Sequence, residues 1–363
     1  MRDLCAQTFV KRLATYLNFL LKSLDKAFAN HTLLYPIMKV TQKDIAKKLG
    51  VSTSLVSRVL SGRAEEIGIR KELIKQVQEL AEKMRYVPSS AALSLKGKKS
   101  STVGVVVYDF NDPYFTKVIS KLQSVALEEN YSILLVGFLN RGITESSLRP
   151  LYKHSVDGII IVGSYGDLSW LDNFDGIPVA RIGHGSDAHL KLCTCVDENL
   201  AMDSIARHLQ EQGIRRVAFA RRNTPVHADR ELSFLNAFAK GGKFTLTYAR
   251  NSINESSVLA GMEIADKLFR EDTLPEAVVC ATDTLAMGVV KRFSELGLNV
   301  PDDILVTGFD DIDSASFFMP TITSYHQPVE IIARKAFYAV SKGEGQGNFN
   351  VEGMLVIRKS STR

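Results

Sequence analysis

Residues 41–62 read TQKDIAKKLGVSTSLVSRVLSG and decide how the rest of the chain is understood. Thr41 stands three places before Asp44, the spacing of a capping box. Ile45, Ala46 and Leu49 then give a short amphipathic helix an apolar stripe. Gly50 suits the left-handed exit of that helix. Ser52 can cap a second helix that runs to about Leu60 and is stopped by Ser61-Gly62. On this second helix Leu55, Val56, Val59 and Leu60 form the apolar side. Thr53, Ser54, Ser57 and Arg58 form a thin, slightly basic side. A third helix is predicted over about Lys71 to Met84, with Leu73, Ile74, Val77, Leu80 and Ala81 turned inward. Two short amphipathic helices separated by three residues at a glycine make a helix-turn-helix pattern.

Charge sets this segment apart. Residues 38–99 hold 14 Lys/Arg against 6 Asp/Glu, while residues 100–363 hold 26 against 32. A small basic head on an acidic body points to a polyanionic partner for the head. With 363 residues, 45% of them hydrophobic, the chain can build two or three domains. The first 37 residues contain the amphipathic stretch FVKRLATYLNFLLKSLDKAF. Lys11, Arg12, Lys22 and Asp25 interrupt it, so it is neither a membrane span nor a good signal peptide. Met38 precedes what reads as a complete start, so residues 1–37 are expected to be a mis-set start or a dispensable extension.

Residues 88–100, PSSAALSLKGKKS, form a bridge. One short helix there is too small to hold alone in water and needs a partner surface. From residue 101 apolar runs recur: TVGVVVYDF, YSILLVGF, DGIIIVGS, IPVARIG, RRVAFARR, FTLTYAR, EAVVCATD and DILVTGFDD. Helical stretches separate most of them. This alternation predicts parallel sheets covered on both faces, arranged as two doubly wound lobes with a ligand cleft at the carboxyl ends of the strands. Cys5, Cys193, Cys195 and Cys280 are too few and too scattered for a disulfide framework. They fit a reducing cytoplasm, with Cys193 and Cys195 as buried strand thiols.

Four ordered stretches carry a family likeness: VTQKDIAKKLGVSTSLVSRVLSG, MRYVPSSAALSLKGKKSSTVGVVV, NDPYFTKVISKL and ATDTLAMGVVKRFSELGLNVPDDILVTGFDDIDSASFFMPTITSYHQP. Together they resemble the LacI/GalR family of bacterial transcription regulators over about residues 40–358. The resemblance implies a helix-turn-helix head at 38–87 and a hinge helix at 88–100. It also implies a two-lobed core at 101–363 like that of periplasmic sugar-binding proteins. It implies a homodimer on pseudo-palindromic operator DNA, with a small effector, sugar-like by analogy, altering operator affinity. The C-terminal VIRKSSTR lacks a leucine heptad, which favours dimer over tetramer.

By the same resemblance, Thr53 and Ser54 reach base edges in the major groove, and Arg58 pairs with guanine. Thr41, Ser52 and Ser57 are placed for phosphates. Leu95 is the wedge into the minor groove, with Lys96, Lys98 and Lys99 beside it. Tyr114 and Phe115 wall the effector pocket, Arg230 and Asp310 bond the effector, and Thr282 faces it. Asp283 is expected to cap a helix and Asp311 to be structural. Three positions depart from the family pattern: Ser233 and Gly183, and Ile253 where an aromatic often stacks. They leave open a nucleobase or a phosphorylated sugar as effector.

No cofactor, metal or catalytic motif is expected. There is no GxGxxG after the first strand, no GxxxxGK[ST], no G-x-S-x-G and no HExxH. His184 and His189 read as surface loop residues. The competing readings are a solute-binding protein, which has no use for residues 40–99, and an α/β enzyme.

Overall fold

The computed structural model describes residues 40–64, 68–86, 99–137, 145–164, 166–239, 245–251 and 257–363. The leader at 1–37, the hinge residues Leu95, Lys96 and Lys98, and Ile253 lie outside the described residues. The chain divides into two units, up to Ser89 and from Ser90 onward.

The head consists of α1 (Gln42–Leu49), α2 (Thr53–Leu60) and α3 (Lys71–Lys83). The capping box forms in both directions. The Asp44 amide donates to the Thr41 hydroxyl, and the Asp44 carboxylate accepts from the Thr41 amide at 2.8 Å. The Thr41 side chain and amide hold the exposed Asp44 carboxyl below its usual range. Gly50 ends α1 at φ 67°, a conformation that a side chain disfavours. Ile45, Ala46, Val56, Val59, Val77 and Ala81 meet in one small core.

The second unit has two lobes, each built on a six-stranded sheet. Lobe one contains β1 (Thr102–Val107), β2 (Ser132–Gly137), β3 (Gly158–Val162), β4 (Val179–Ile182), β5 (Leu190–Val196) and β11 (Gly347–Val351). Their order is β11-β5-β4-β3-β1-β2, parallel throughout. Side chains alternate across the sheet. Val103, Val105, Val107, Ile160 and Val162 face α4 (Pro113–Glu128) and α10 (Val329–Ser341). Val106, Ile159 and Ile161 face α5 (Glu145–Lys153) and the 3-10 turn at Ser169–Phe174. Both faces are covered, which is why these strands read as continuous apolar runs.

Lobe two contains β6 (Arg216–Arg222), β7 (Thr245–Asn251), β8 (Ala277–Cys280), β9 (Leu305–Asp310), β10 (Thr323–His326) and β12 (Met354–Val356). Their order is β12-β10-β9-β8-β6-β7, with β12 antiparallel at one edge. Around it lie α6 (Glu198–Glu211), α7 (Pro225–Ala239), α8 (Ser257–Phe269) and α9 (Asp283–Glu295). The chain passes between lobes after β5, after β10, and between β11 and β12.

The sequence reading did not list β5, β10, β11 and β12 as strands, although it placed the β5 cysteines in a strand. β11 (GNFNV) is an edge strand with mostly exposed side chains and lacks an apolar signature, and the edge strand β12 is apolar (MLV) but only three residues long. β10 is buried but polar. The Thr323 amide donates to Ser360 Oγ at 2.9 Å, and Ser361 Oγ bonds Thr323 Oγ1 at 2.7 Å. Hydroxyl pairing satisfies these polar groups where sequence periodicity sees none.

Helices α8 and α9 cross at Gly261 and Gly288. A methyl group added at Gly288 would run into the Val258 carbonyl, and one at Gly261 into that of Leu285. On an open helix, Gly→Ala stabilises by about 1 kcal/mol. Here the obstruction is rigid backbone, so the sign reverses. We expect Gly288→Ala to destabilise the protein by ~1–3 kcal/mol, read as a lower denaturation midpoint in urea. An unchanged or raised midpoint would contradict this packing.

Candidate functional site

In the head, Ser52 caps α2 by accepting from the Leu55 amide at 3.2 Å and also contacts Ser54 Oγ at 3.1 Å. Val56 and Val59 are buried, which turns Thr53, Ser54 and Arg58 outward; all three are exposed. Ser57 is half-buried. The first turn of α2 is therefore a surface of short hydroxyls with one arginine a turn further along. The Thr41 hydroxyl is 2.7 Å from Asp44 Oδ2, so its proton is engaged within the head. Lys99 also has an internal partner in the core unit: its Nζ donates to the Ser341 carbonyl at 2.6 Å.

In the core, a cleft of about 250 Å³ lies at the carboxyl ends of the strands of both sheets. Residues just after β1, β3 and β4 contribute Tyr108, Ser164 and His184. Residues at or after β6, β8 and β9 contribute Arg222, Thr224, Thr282 and Asp310. In doubly wound sheets, ligands bind at this end of the strands. All five residues expected to meet an effector (Tyr114, Phe115, Arg230, Thr282 and Asp310) line this one cleft.

Arg230 is its electrostatic centre. Nε donates to Glu198 Oε2 at 2.8 Å and Nη2 to Glu198 Oε1 at 2.6 Å, a bidentate fork. Nη1 donates to the Ala281 carbonyl. The guanidinium lies over the Phe309 ring, 3.6 Å from its centroid. Burial by itself would raise the Glu198 carboxyl; Arg230 and His184 overcome that and hold it down at about 2. His184 Nε2 sits 3.1 Å from Glu198 Oε1, and its Nδ1 3.6 Å from Cys195 Sγ. An Nε2–H donates to the carboxylate, and the Cys195 thiol also has Asn350 Oδ1 as an acceptor at 3.5 Å. Burial pushes the Cys195 thiol up to about 12, so it stays protonated.

A second chain of bonds runs between the lobes. The Tyr114 hydroxyl donates to Gln327 Oε1 at 3.0 Å, and Gln327 Nε2 donates to Asp310 Oδ1 at 2.7 Å. Asp310 has φ 104°, a strained position for a residue with a side chain. Burial raises its carboxyl well above the ordinary value.

Two expectations need correction. His184 is not a surface loop residue: it lines the cleft and touches Glu198, while His189 is the exposed one, held between Asp187 and Asp172. Asp283 does not cap α9. Thr282 does, accepting from the Leu285 amide at 3.3 Å, while Asp283 Oδ2 accepts from the Ile312 amide at 2.9 Å. Burial pushes the Asp283 carboxyl up to about 7. Asp311 is tied to Arg358 and His326. Gly183 has no room for a side chain, because a Cβ would stand 2.7 Å from the Gly163 backbone. Sequence reading did not single out Glu198, Gln327, Arg222, Thr224 or His227. Among the described residues, no group of His, Cys, Asp or Glu is arranged to hold a metal ion. No described helix is long and apolar enough to cross a membrane.

His227 gives the cleft a pH dependence. Its Nδ1 accepts from the Arg222 amide at 3.2 Å, which requires the neutral ring. Burial first, then Arg230 and Arg222, lower it to about 3 from 6.5. A depressed histidine contributes stability above its unfolded value that is lost as pH falls from 6.5 towards 3. This group alone should cost about 2 kcal/mol of stability between pH 7 and pH 5. The loss should be smaller in His227→Asn, as measured by urea denaturation at the two pH values. Equal losses in both proteins would contradict the assignment.

Comparison with known proteins places this architecture. The family profile described as bacterial regulatory proteins, lacI family, matches residues 41–89, and that of a periplasmic binding protein-like domain matches 206–361. The HTH-type transcriptional repressor PurR of Glaesserella parasuis is 31% identical over 296 residues, covering 79% of this chain and 85% of the relative. PurR of Pasteurella multocida is 28% identical over 350 residues, covering 88% and 98%. The lac repressor dimer bound to operator and the anti-inducer ONPF has a similar structure. Its TM-score is 0.76 at 21% identity, covering 89% of this chain and 99% of that one. A CelR–cellobiose complex is similar at TM-score 0.60 and 20% identity, covering 89% and 100%. With its helix-turn-helix head and two-lobed core, this chain belongs to the LacI/GalR family and is a DNA-binding transcriptional repressor, not an enzyme.

Proposed function

We propose that the repressor reads its operator with the first turns of α2 and that a small polyhydroxylated effector, held in the core cleft, sets its operator affinity. Thr53, Ser54 and Arg58 are assigned to base edges, and Ser52 and Ser57 to phosphates; Thr41 joins them only by giving up the bond of its hydroxyl to Asp44. Residues 88–100 act as the hinge, with Leu95 as the minor-groove wedge, and two copies bind as a homodimer. The exposed short side chains of α2 support the first assignment, because a thin helix face allows close approach to the groove.

The observation that carries the effector reading is the cleft itself. Pockets for drug-sized ligands run to roughly 300–1,000 Å³, so about 250 Å³ suits a ligand on the scale of a monosaccharide. Its wall supplies a carboxyl at Asp310, a guanidinium at Arg230 and hydroxyls at Tyr108, Ser164 and Thr224. Arg230 and Asp310 both belong to lobe two, and the hydroxyls of Tyr108 and Ser164 come from lobe one; this mixture of donors and acceptors fits a polyol, which presents both at every carbon. The cellobiose-bound CelR shares this fold.

A thermal-shift screen of sugars and nucleobases tests the effector class. A sugar should raise the midpoint, and the shift should vanish in Asp310→Ala. Stabilisation by nucleobases alone would replace the sugar reading. For the head, Arg58→Ala should cost ~1–3 kcal/mol at a guanine-bearing operator and relax preference at one base pair. An unchanged preference in a binding selection would refute the role of Arg58.

A further inference from the structure

The strongest cation in the cleft is already occupied. A guanidinium offers five N–H groups. In Arg230, Glu198 takes two and the Ala281 carbonyl a third. The side chains of this pair are only 7% and 9% exposed, so water does not screen them. The other guanidinium in the cleft, Arg222, contacts Ser257 Oγ at 3.4 Å and lies in the field of Asp112. Against these two cations the cleft sets four carboxyl groups: Asp109, Asp112, Glu198 and Asp310.

An entering phosphate or carboxylate would therefore meet two cations that already have partners, Arg230 on Glu198 and Ala281 and Arg222 beside Ser257 and Asp112, even with the Asp310 carboxyl raised by burial. To use Arg230 fully, it would have to displace Glu198 and strand a buried carboxylate, a costly rearrangement. The N-terminus of α4 offers no alternative, because the Asp112 carboxylate already accepts from the Tyr114 amide at 2.8 Å. An uncharged ligand needs no such displacement. Its hydroxyl or carbonyl oxygens can take the two N–H groups of Arg230 not used by Glu198 and Ala281, and its O–H or N–H groups can donate to Asp310.

We propose that the core cleft selects an uncharged effector and rejects phosphorylated or carboxylated ones, with Glu198 setting that preference by neutralising Arg230. This rests on the cleft being the effector site. Glu198 acts as a positioning and charge-setting residue, and the phosphorylated sugar left open by the sequence is excluded.

The test is calorimetric titration of the full chain with matched pairs: a hexose and its phosphate, a nucleobase and its nucleoside monophosphate, and inorganic phosphate alone. Wild type and Glu198→Gln are compared. Glu198→Ala serves if the glutamine variant does not fold, and Thr224→Phe, which fills the cleft, identifies binding elsewhere. Wild type should bind a neutral member at least tenfold more tightly than its phosphate, and Glu198→Gln should narrow that ratio. If no compound binds wild type but phosphate binds Glu198→Gln in the cleft, the charge preference stands and the sugar reading fails. The proposal is overturned if wild type binds a phosphate in the cleft as tightly as its neutral partner, for instance on the opening amides of α7. It is equally overturned if the Glu198 variants gain no affinity for any anion.

Discussion

The Arg230–Glu198 ion pair governs the core. Glu198 opens α6 at the point where the chain has just left lobe one, and Arg230 lies on α7 in lobe two. Each charge is buried, so each requires the other; breaking such a pair costs ~3–5 kcal/mol. Phe309 fixes the plane of the guanidinium, and the Ala281 carbonyl fixes its end. His184 reaches Glu198 from lobe one. The shape and charge of the cleft follow from this arrangement.

The same construction explains how a small ligand can matter at a distance. The lobes are joined by three passages of chain, by the Tyr114–Gln327–Asp310 bonds, and by Lys117, whose Nζ donates to the Asp311 carbonyl at 3.0 Å. A ligand that bonds Asp310 and Arg230 on one side and packs on Tyr114 and Phe115 on the other favours one lobe arrangement over another. Control of operator affinity then requires only that DNA binding favours one of those arrangements. Such coupling is reciprocal: whatever factor the effector imposes on DNA affinity, DNA imposes on effector affinity.

Much of this was legible in the residues. The capping box at Thr41, the glycine exit at Gly50 and the serine cap at Ser52 are local signals, and the structure reproduces them. The strands of the two sheet centres are buried on both faces and announce themselves by composition. The cleft residues Tyr114, Phe115, Arg230, Thr282 and Asp310 came from motif resemblance. Glu198 was not legible, because it lies 32 positions from Arg230 and nothing local marks the pairing. His184 looked like loop surface because its partners Ser164, Cys195 and Glu198 lie 11 to 20 positions away in the sequence. Arg222 and Thr224 could have been found, since they directly follow or end a buried strand, where cleft residues belong. The edge strand β11 and the polar strand β10 lack the apolar periodicity on which sequence reading depends, and β12 is too short at three residues to show one.

The central claim is that the exposed first turns of α2 grip duplex DNA. The most direct measurement is a selection of genomic fragments on the full chain beside a variant with Thr53, Ser54 and Arg58 all replaced by alanine. These side chains are exposed, so the variant should keep its fold. The account predicts that the full chain enriches a pseudo-palindromic sequence and that the variant loses that enrichment. Equal enrichment by both proteins would contradict it.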